Sequence, residues 1–407
     1  PRGMTTGMKH STFTELFREQ DWGHATRLIK DAGCVEVERA LGREGRGGLA
    51  DFAALLSTCA AEKYLEPMAQ LSHRVTRRRF GNAIRLFAPL YLSNECNNIC
   101  DYCGFSLGND IPRKTLSTAE ILRDAGILKS QGFEHVLLVT GESSMRVGVD
   151  YLADSLRTLR QHFSNLSIEA QPLETSEYER LIEEGLHAVM VYQETYERES
   201  YAVHHVKGKK RNFEWRLETP DRLGQAGVNK IGLGCLFGLT QDWRTDAYFA
   251  GLHLDYLEKK YWKTTYSMSF PRIRPFEGES MPMADLSDRD LVQLLCAFRI
   301  FKEELELTLS TRESPALREN LLPLGVTTMS AGSKTNPGGY AGEEDSLEQF
   351  STSDERSAAE VRAMLKQKGF DPVWKDWDPS YDLVRSPASE GVELFAEGRG
   401  EALSLAG

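Results

Sequence analysis

Short apolar runs rich in β-branched and aromatic residues alternate along this chain with longer stretches of helical period. The runs are Arg85-Leu-Phe-Ala-Pro-Leu-Tyr91, His135-Val-Leu-Leu-Val-Thr140, Leu166-Ser-Ile-Glu-Ala170, Ala188-Val-Met-Val-Tyr192, Lys230-Ile-Gly-Leu-Gly-Cys235, Thr265-Tyr-Ser-Met-Ser-Phe270, Glu306-Leu-Thr-Leu-Ser310 and Gly325-Val-Thr-Thr-Met329. A strand followed by a helix is the pattern of a βα unit in a parallel sheet. Eight such units predict an α/β fold closed into a (β/α)8 barrel of the TIM type. Helix boundaries are also written in the chain. Ser117-Thr-Ala-Glu120 is a capping box that opens a helix running toward Gly132, and Ser176 precedes a helical stretch that stops near Gly185. Residues 1–82 read as a helical N-terminal extension, 83–340 as the barrel, and 341–407 as a C-terminal extension. Within the last, the segment from Ser346 to Asp378, which contains one helix from Ser357 to Gly369, is an expected flap over the barrel mouth, and the Ser-, Glu- and Gly-rich tail after Tyr381 is expected to be mobile.

In a barrel of this type the reactive groups gather on loops at the C-terminal ends of the strands. The first strand runs directly into Cys96-Asn-Asn-Ile-Cys100-Asp-Tyr-Cys103, a C-x3-C-x2-C spacing that offers three thiolates and withholds a fourth. Structural zinc closes with four ligands, and no second cysteine pair or paired histidines lie within thirty residues; His73 and His135 stand alone. Thiolates at such short spacing suit an iron-sulfur cluster, in which three cysteines leave one iron open to a small molecule. A carrier or scaffold that holds a cluster without catalysis is the alternative from a different functional class.

Composition narrows the setting. With 407 residues, 41% hydrophobic and 27% charged, the chain can bury a barrel-sized core. Seven cysteines, an odd number over so long a chain, do not form a secreted disulfide framework, and Cys34 and Cys59 fall on apolar patterns as core or surface thiols. No apolar run approaches the roughly 20 residues of a membrane span, and no charged-then-apolar leader opens the chain. A cytoplasmic location without membrane contact is expected. A net charge of −11 argues against nucleic acid as a partner. Two basic runs, Arg77-Arg78-Arg79 and Lys207-Gly-Lys-Lys-Arg211, read as solvated edges, with binding of an anionic cofactor or partner as the alternative for either.

With Tyr102 before the last cysteine and Gly104-Phe105 after it, the loop resembles the signature of the radical S-adenosylmethionine enzymes. That resemblance implies a [4Fe-4S] cluster on Cys96, Cys100 and Cys103, with S-adenosyl-L-methionine on the open iron and Tyr102 and Phe105 beside it. Thr140-Gly141-Glu142 resembles the family's Gly-Gly-Glu-like motif, which receives the methionine amino group. A carboxylate complements an ammonium there, and Gly141 permits close backbone approach. Glu169 and Gln171 at the third strand end, and Gln193 and Glu194 at the fourth, are candidates for the ribose hydroxyls. Arg216 matches by position the arginine with which biotin-synthase-like members hold the cofactor carboxylate. Gly232, Gly234 and the run Phe237-Gly238-Leu239 close strand five, where the family packs backbone against adenine.

The seventh strand ends in Ser310-Thr-Arg312-Glu313. An arginine there is either a structural charge paired with Glu313 or a fork for a ligand carboxylate. The segment is similar to that by which the aromatic amino acid lyases of this superfamily hold their substrate, which implies Arg312 and Ser310 at the substrate. Leu138-Val-Thr-Gly-Glu142, Trp215-Arg-Leu-Glu-Thr-Pro-Asp-Arg222, Ser333-Lys-Thr-Asn-Pro-Gly-Gly-Tyr340 and Val373-Trp-Lys-Asp-Trp-Asp378 extend the similarity to the tyrosine-cleaving lyases. The resemblance implies cleavage of L-tyrosine between Cα and Cβ to 2-iminoacetate (dehydroglycine) and p-cresol. S-adenosylmethionine would pass to 5′-deoxyadenosine and methionine, and the product would supply the thiazole of thiamine. It also implies a thiazole synthase subunit (ThiG) and a reductant such as flavodoxin or ferredoxin as partners. Tyr266, Ser269 and Arg272 are candidates for the phenol end. The alternatives are a tryptophan lyase and the hydrogenase-maturation type. The latter adds C-terminal cysteines for a second cluster, whereas this chain has none after Cys296.

Overall fold

The computed structural model describes residues 10–276, 284–342 and 348–375. Eight parallel strands form a closed barrel: β1 (Ala83–Ser93), β2 (His135–Thr140), β3 (Asn165–Glu169), β4 (Leu186–Met190), β5 (Lys230–Gly234), β6 (Thr265–Ser269), β7 (Glu306–Leu309) and β8 (Thr328–Ser330). Each pairs with the next in sequence, and β8 closes on β1 with Arg85 opposite Thr328 and Phe87 opposite Ser330. Strands covered on both faces need continuous apolar runs rather than alternation, which is what His135–Thr140 and Lys230–Gly234 provide. The first strand is 11 residues long. Its start pairs with β8 and with an outer strand, Asp371–Val373, while its end pairs with β2. The register slips between Tyr91 and Ser93, so the chain leaves the sheet there and enters the cysteine loop.

Ser117 caps its helix as expected, with its backbone N–H donating to Glu120 at 2.7 Å. The next expectation needs correction. The helix Thr175–Glu183 starts one residue before Ser176, because Glu174 is its cap and the Glu174 N–H donates to Glu177 at 2.8 Å. The eighth strand also begins later than the apolar run implied. Gly325 has φ +151°, a backbone conformation L side chains rarely adopt, and it turns the chain out of a short 3-10 helix before β8 can pair.

Six helices between Phe13 and Phe80 precede the barrel. They pack on its outer helices: Phe52 lies on Phe298 and Phe301, with ring centroids 4.8 and 4.4 Å apart, and Phe13 stacks on His253 at 3.7 Å. The C-terminal helix Ala358–Gln367 is not part of a flap, contrary to expectation. It packs at the side of the barrel with the outer strand Asp371–Val373, burying Val361 and Leu365. Residues 348–354 cover the mouth instead. The Gln349 carbonyl accepts from the Gly104 N–H at 3.0 Å, the Gln349 N–H donates to Thr335 at 2.9 Å, and Ser353 donates to Thr311 at 2.9 Å. A fully buried ion pair between Arg318 and Asp354 anchors the end of this segment. The tail after Tyr381 lies outside the described residues.

Candidate active site

The strand ends and the cysteine loop enclose a cavity of about 170 Å³ beneath Gln349 and Phe350. All three loop cysteines line it, as do Tyr102, Phe105, Thr140, Gly141, Glu142, Glu169, Glu194, Arg216, Ser310 and Arg312. Thus the cysteine loop, the end of β2, Arg216 and the Ser310–Arg312 segment converge on one chamber, and of the four ribose candidates two reach it and two do not. Gln193 is buried with an unpartnered side-chain nitrogen and does not line the cavity, and the Gln171 amide donates to the Val147 carbonyl at 2.7 Å outside it.

The cysteine loop is held by backbone. Arg113 gathers its carbonyls, donating to Asn94 and Phe105 at 2.8 Å each and to Ser106 at 2.7 Å. The loop is also stitched to the end of β2, with Gly141 N–H to Ser93 and Asn97 N–H to Glu142, both 2.9 Å. Gly141 is required by this loop: a Cβ there would stand 2.3 Å from the Glu95 carbonyl oxygen and 3.2 Å from the Cys96 Cβ. Burial pushes all three thiols up, Cys103 to about 11, so they ionise only against a bound cation. Among the described residues no three such side chains converge tightly enough for a single metal ion. A cubane takes one thiolate on each of its irons, and three cysteines that face one chamber fit that donor set with one iron left open.

Beside the cysteines stands a square of alternating charge. Arg216 donates to Glu142 at 2.8 Å and to Glu194 at 3.3 Å, and Lys210 donates to Glu194 at 2.7 Å. Asn98 completes Glu142 at 2.9 Å. Burial alone would disfavour every one of these charges. For Glu142 the cations Arg216 and Lys210 outweigh it and hold the carboxyl below its usual range, and for Lys210 and Arg216 the carboxylates hold the pKa up. Glu194 carries φ +71°, strain tolerated where a side chain must be aimed. Lys210 had been assigned to a solvated edge. Its ammonium is instead buried against Glu194, because the 3-10 turn Lys209–Arg211 folds it inward while its neighbours stay outside.

Tyr102 donates to the His205 Nε2 at 2.6 Å while the other ring nitrogen of His205 meets the Tyr201 carbonyl at 2.7 Å, and burial keeps this imidazole neutral. Across the chamber, Glu169 is pushed up to about 7, by burial first and by Glu194 second. Glu313 does not pair with Arg312; it takes Arg272 and Arg274. Arg312 lies over the Phe350 ring at 3.3 Å, and among the described residues no carboxylate forms an ion pair with it. Of the three phenol candidates only Ser269 lines the chamber. The Tyr266 hydroxyl donates to Leu257 at 3.0 Å on the far side, and Arg272 is consumed by Glu313. Gly232 and Gly234 make room for Met190 and Tyr192 from the neighbouring strand; a Cβ would meet their atoms at 2.0 and 2.8 Å. Of the run after β5, Phe237, Gly238 and Leu239 do not line the cavity, though Leu236 does.

Comparison with known proteins agrees with this geometry. Residues 90–249 match the radical SAM superfamily, and residues 269–371 match the biotin and thiamin synthesis associated domain. The 2-iminoacetate synthase of Escherichia coli K12 is 51% identical over 90% of this chain and 97% of its own length. The chain belongs to the 2-iminoacetate synthases. The 2-iminoacetate synthase of Salmonella typhimurium LT2 is 50% identical over the same shares. Among solved structures, the FeFe-hydrogenase maturase HydG from Carboxydothermus hydrogenoformans superposes with TM-score 0.82 at 30% identity, covering 90% of this chain and 86% of that one. In this 2-iminoacetate synthase, sequence reasoning missed Arg113, Asn98, Lys210, Gln349 and Phe350. None of the five carried a local signal, and Lys210 is told from its basic neighbours only by its burial in the fold.

Proposed function

We propose that this chain cleaves L-tyrosine between Cα and Cβ to 2-iminoacetate and p-cresol, at the expense of S-adenosyl-L-methionine, for assembly of the thiazole of thiamine. The observation that carries the reading is Arg312, a buried guanidinium free of any described carboxylate, in the same chamber as three cysteines and the Glu142–Arg216 pair. Cys96, Cys100 and Cys103 would hold a [4Fe-4S] cluster. Glu142 and Arg216 would take the ammonium and carboxylate of the methionyl group, and Glu169 and Glu194 the ribose. When bound, these groups supply a one-electron cleavage of the sulfonium that gives methionine and a hydrogen-abstracting 5′-deoxyadenosyl radical.

The chain's own residues do the rest. Arg312 orients tyrosine by its carboxylate, with Ser310 beside it, so that the amino group faces the reacting carbon. Phe350 and Gln349 roof the chamber against water, which would quench a radical and hydrolyse the imine. Since 2-iminoacetate hydrolyses readily, transfer to a thiazole synthase subunit by direct contact fits its chemistry. The test is anaerobic. The enzyme is reconstituted, reduced and given S-adenosylmethionine with tyrosine, and p-cresol and 5′-deoxyadenosine are sought by chromatography. Both products, without carbon monoxide or cyanide, are expected. Deoxyadenosine without p-cresol would remove tyrosine as the substrate, and neither product from a preparation with verified cluster would favour a carrier.

A further inference from the structure

The electron that this chemistry consumes enters from outside the chain, and one face of the molecule is built differently from the rest. Among the described residues seven large hydrophobic side chains are markedly exposed, and Leu107, Met145, Val203 and Val206 are four of them. Three of these four lie on segments bonded to the cysteine loop. The two-residue strand Ile99–Cys100 pairs antiparallel with His205–Lys207, placing Cys100 opposite His205 and Ile99 opposite Lys207. The Leu107 N–H donates to the Asn98 carbonyl at 2.8 Å. Val203 sits in the short helix that runs into this strand. Met145 adjoins Ser144, whose hydroxyl accepts from the Lys209 ammonium at 3.4 Å.

Around these apolar side chains lie Lys207, Lys209, Arg211 and Arg146, all exposed, and among the described residues none of the four forms an ion pair. Exposed basic side chains without an ion pair occur elsewhere among the described residues, Lys30, Arg46, Arg74 and Lys366 among them, while others are matched, as Arg18 is with Glu214 and Arg157 with Glu184; here three unpaired cations fall within the stretch 207–211, next to exposed apolar side chains. An unneutralised positive rim around an apolar centre, on a chain of net charge −11, is a local feature kept against the overall balance. The strand His205–Lys207 on this face pairs directly with the strand that carries Cys100, and His205 is hydrogen-bonded to Tyr102, which lines the chamber.

We propose that this face, Leu107, Val203 and Val206 with Lys207, Lys209 and Arg211, is the docking surface for an acidic one-electron carrier protein. The proposal rests on the functional reading above and names the partner that reading requires. One electron leaves the reduced carrier for each S-adenosylmethionine cleaved. The carrier is oxidised by that electron and the sulfonium carbon-sulfur bond is reduced. Opposite charge brings the carrier in, and the apolar centre excludes water where the two proteins are closest.

The experiment uses the reconstituted enzyme with reduced flavodoxin as the probe. Binding is measured by calorimetry across ionic strength, and S-adenosylmethionine cleavage is driven by flavodoxin in one series and by dithionite in another. In Lys207→Glu with Arg211→Glu, and separately in Val206→Asp, flavodoxin affinity is expected to fall roughly 10-fold or more, and the double variant is expected to lose its salt dependence. Dithionite-driven cleavage stays at the wild-type rate. Lys366→Glu, a reversal on the distant outer helix, leaves both unchanged. Equal binding in all variants would overturn the proposal, as would an equal loss in Lys366→Glu or a parallel loss of dithionite-driven cleavage. It would fall too if these variants lose affinity for the thiazole synthase subunit instead of for flavodoxin. If the wild type cleaves no S-adenosylmethionine even with dithionite, the functional reading is wrong and the docking proposal falls with it.

Discussion

Gly141→Ala tests how the cysteine loop is positioned. The added methyl would stand 2.3 Å from the Glu95 carbonyl oxygen, where contact distance requires about 1 Å more. Neither side can yield freely. Gly141 is bonded to Ser93, and Asn97 to Glu142, so the loop is fastened to the end of β2 on both sides of the collision. Overpacking of this kind costs about 1–3 kcal/mol. Lengthening the two backbone hydrogen bonds adds about 0.5–1.5 kcal/mol each. The sum, about 2–6 kcal/mol, falls on the segment that carries Cys96, so the expected result is loss of bound iron and of the cluster absorbance at a modest cost in global melting temperature. Gly126→Ala serves as the control. It lies in the helix Thr118–Ser130 with nothing within 4 Å of its Cβ, so it should stabilise by about 0.5–1 kcal/mol and leave iron content unchanged. Full iron loading in Gly141→Ala, with wild-type absorbance, would refute the claim that this contact sets the loop.

Arg312→Ala is expected to raise the tyrosine KM and lower kcat/KM by about 10²–10³-fold, the loss of a charge-assisted pair of about 3–4 kcal/mol, with cluster absorbance intact; steady-state p-cresol formation measures it. Arg312→Lys should recover only part of this, because an ammonium keeps the charge and loses the fork. Glu169 titrates near 7 in the folded protein against 4.5 for an ordinary glutamate, so its ionisation disfavours the fold increasingly as pH rises through that interval. Glu169→Gln should therefore gain stability over the wild type as pH rises from 5 to 8, by about 3 kcal/mol at the upper end and read as a growing difference in melting temperature, and a pH-independent difference would sink the assignment. Tyramine, which lacks the carboxylate, should compete with tyrosine at least about 10²-fold more weakly.

Much of this architecture was legible because barrel strands buried on both faces leave unmistakable apolar runs. Seven of the eight lie within two residues of where the runs end, and β8 is late only because Gly325 turns first. The site was legible at strand ends, since the fold rule directs attention to Glu142, Glu169, Glu194 and Arg312. What pattern cannot carry is pairing between distant segments. Nothing local says that Arg113 collects the carbonyls of the cysteine loop, that Glu313 chooses Arg272 over its neighbour Arg312, or that Lys210 turns inward while Lys207 and Lys209 do not. The flap expected over residues 346–378 is, among the described residues, only its first part, residues 348–354. The helix Ala358–Gln367 has an apolar face that packs on the barrel side, and the irregular stretch before it, with no periodicity to mark it, is what lies over the mouth.

The two ends of the chamber differ in charge, and the difference sorts its two amino acid ligands. Near the cysteines, Glu142 and Arg216 already neutralise each other at 2.8 Å. On the proposed reading a methionyl group would bring one ammonium and one carboxylate and so replace each member of that pair by its own counter-charge without leaving a buried ion unpaired, while Lys210 and Glu194 would stay paired. At the far end Arg312 waits alone. On the proposed reading a tyrosine carboxylate would supply its missing partner, and the lining carboxylates Glu142, Glu169 and Glu194 would all be taken by the cofactor, leaving none for the tyrosine ammonium. An amino group held there is not locked as a salt-bridged ammonium and can give up a proton before its N–H is attacked. A site that paired both ends of tyrosine as firmly as it pairs methionine would bind the substrate well and oppose the step that starts its cleavage.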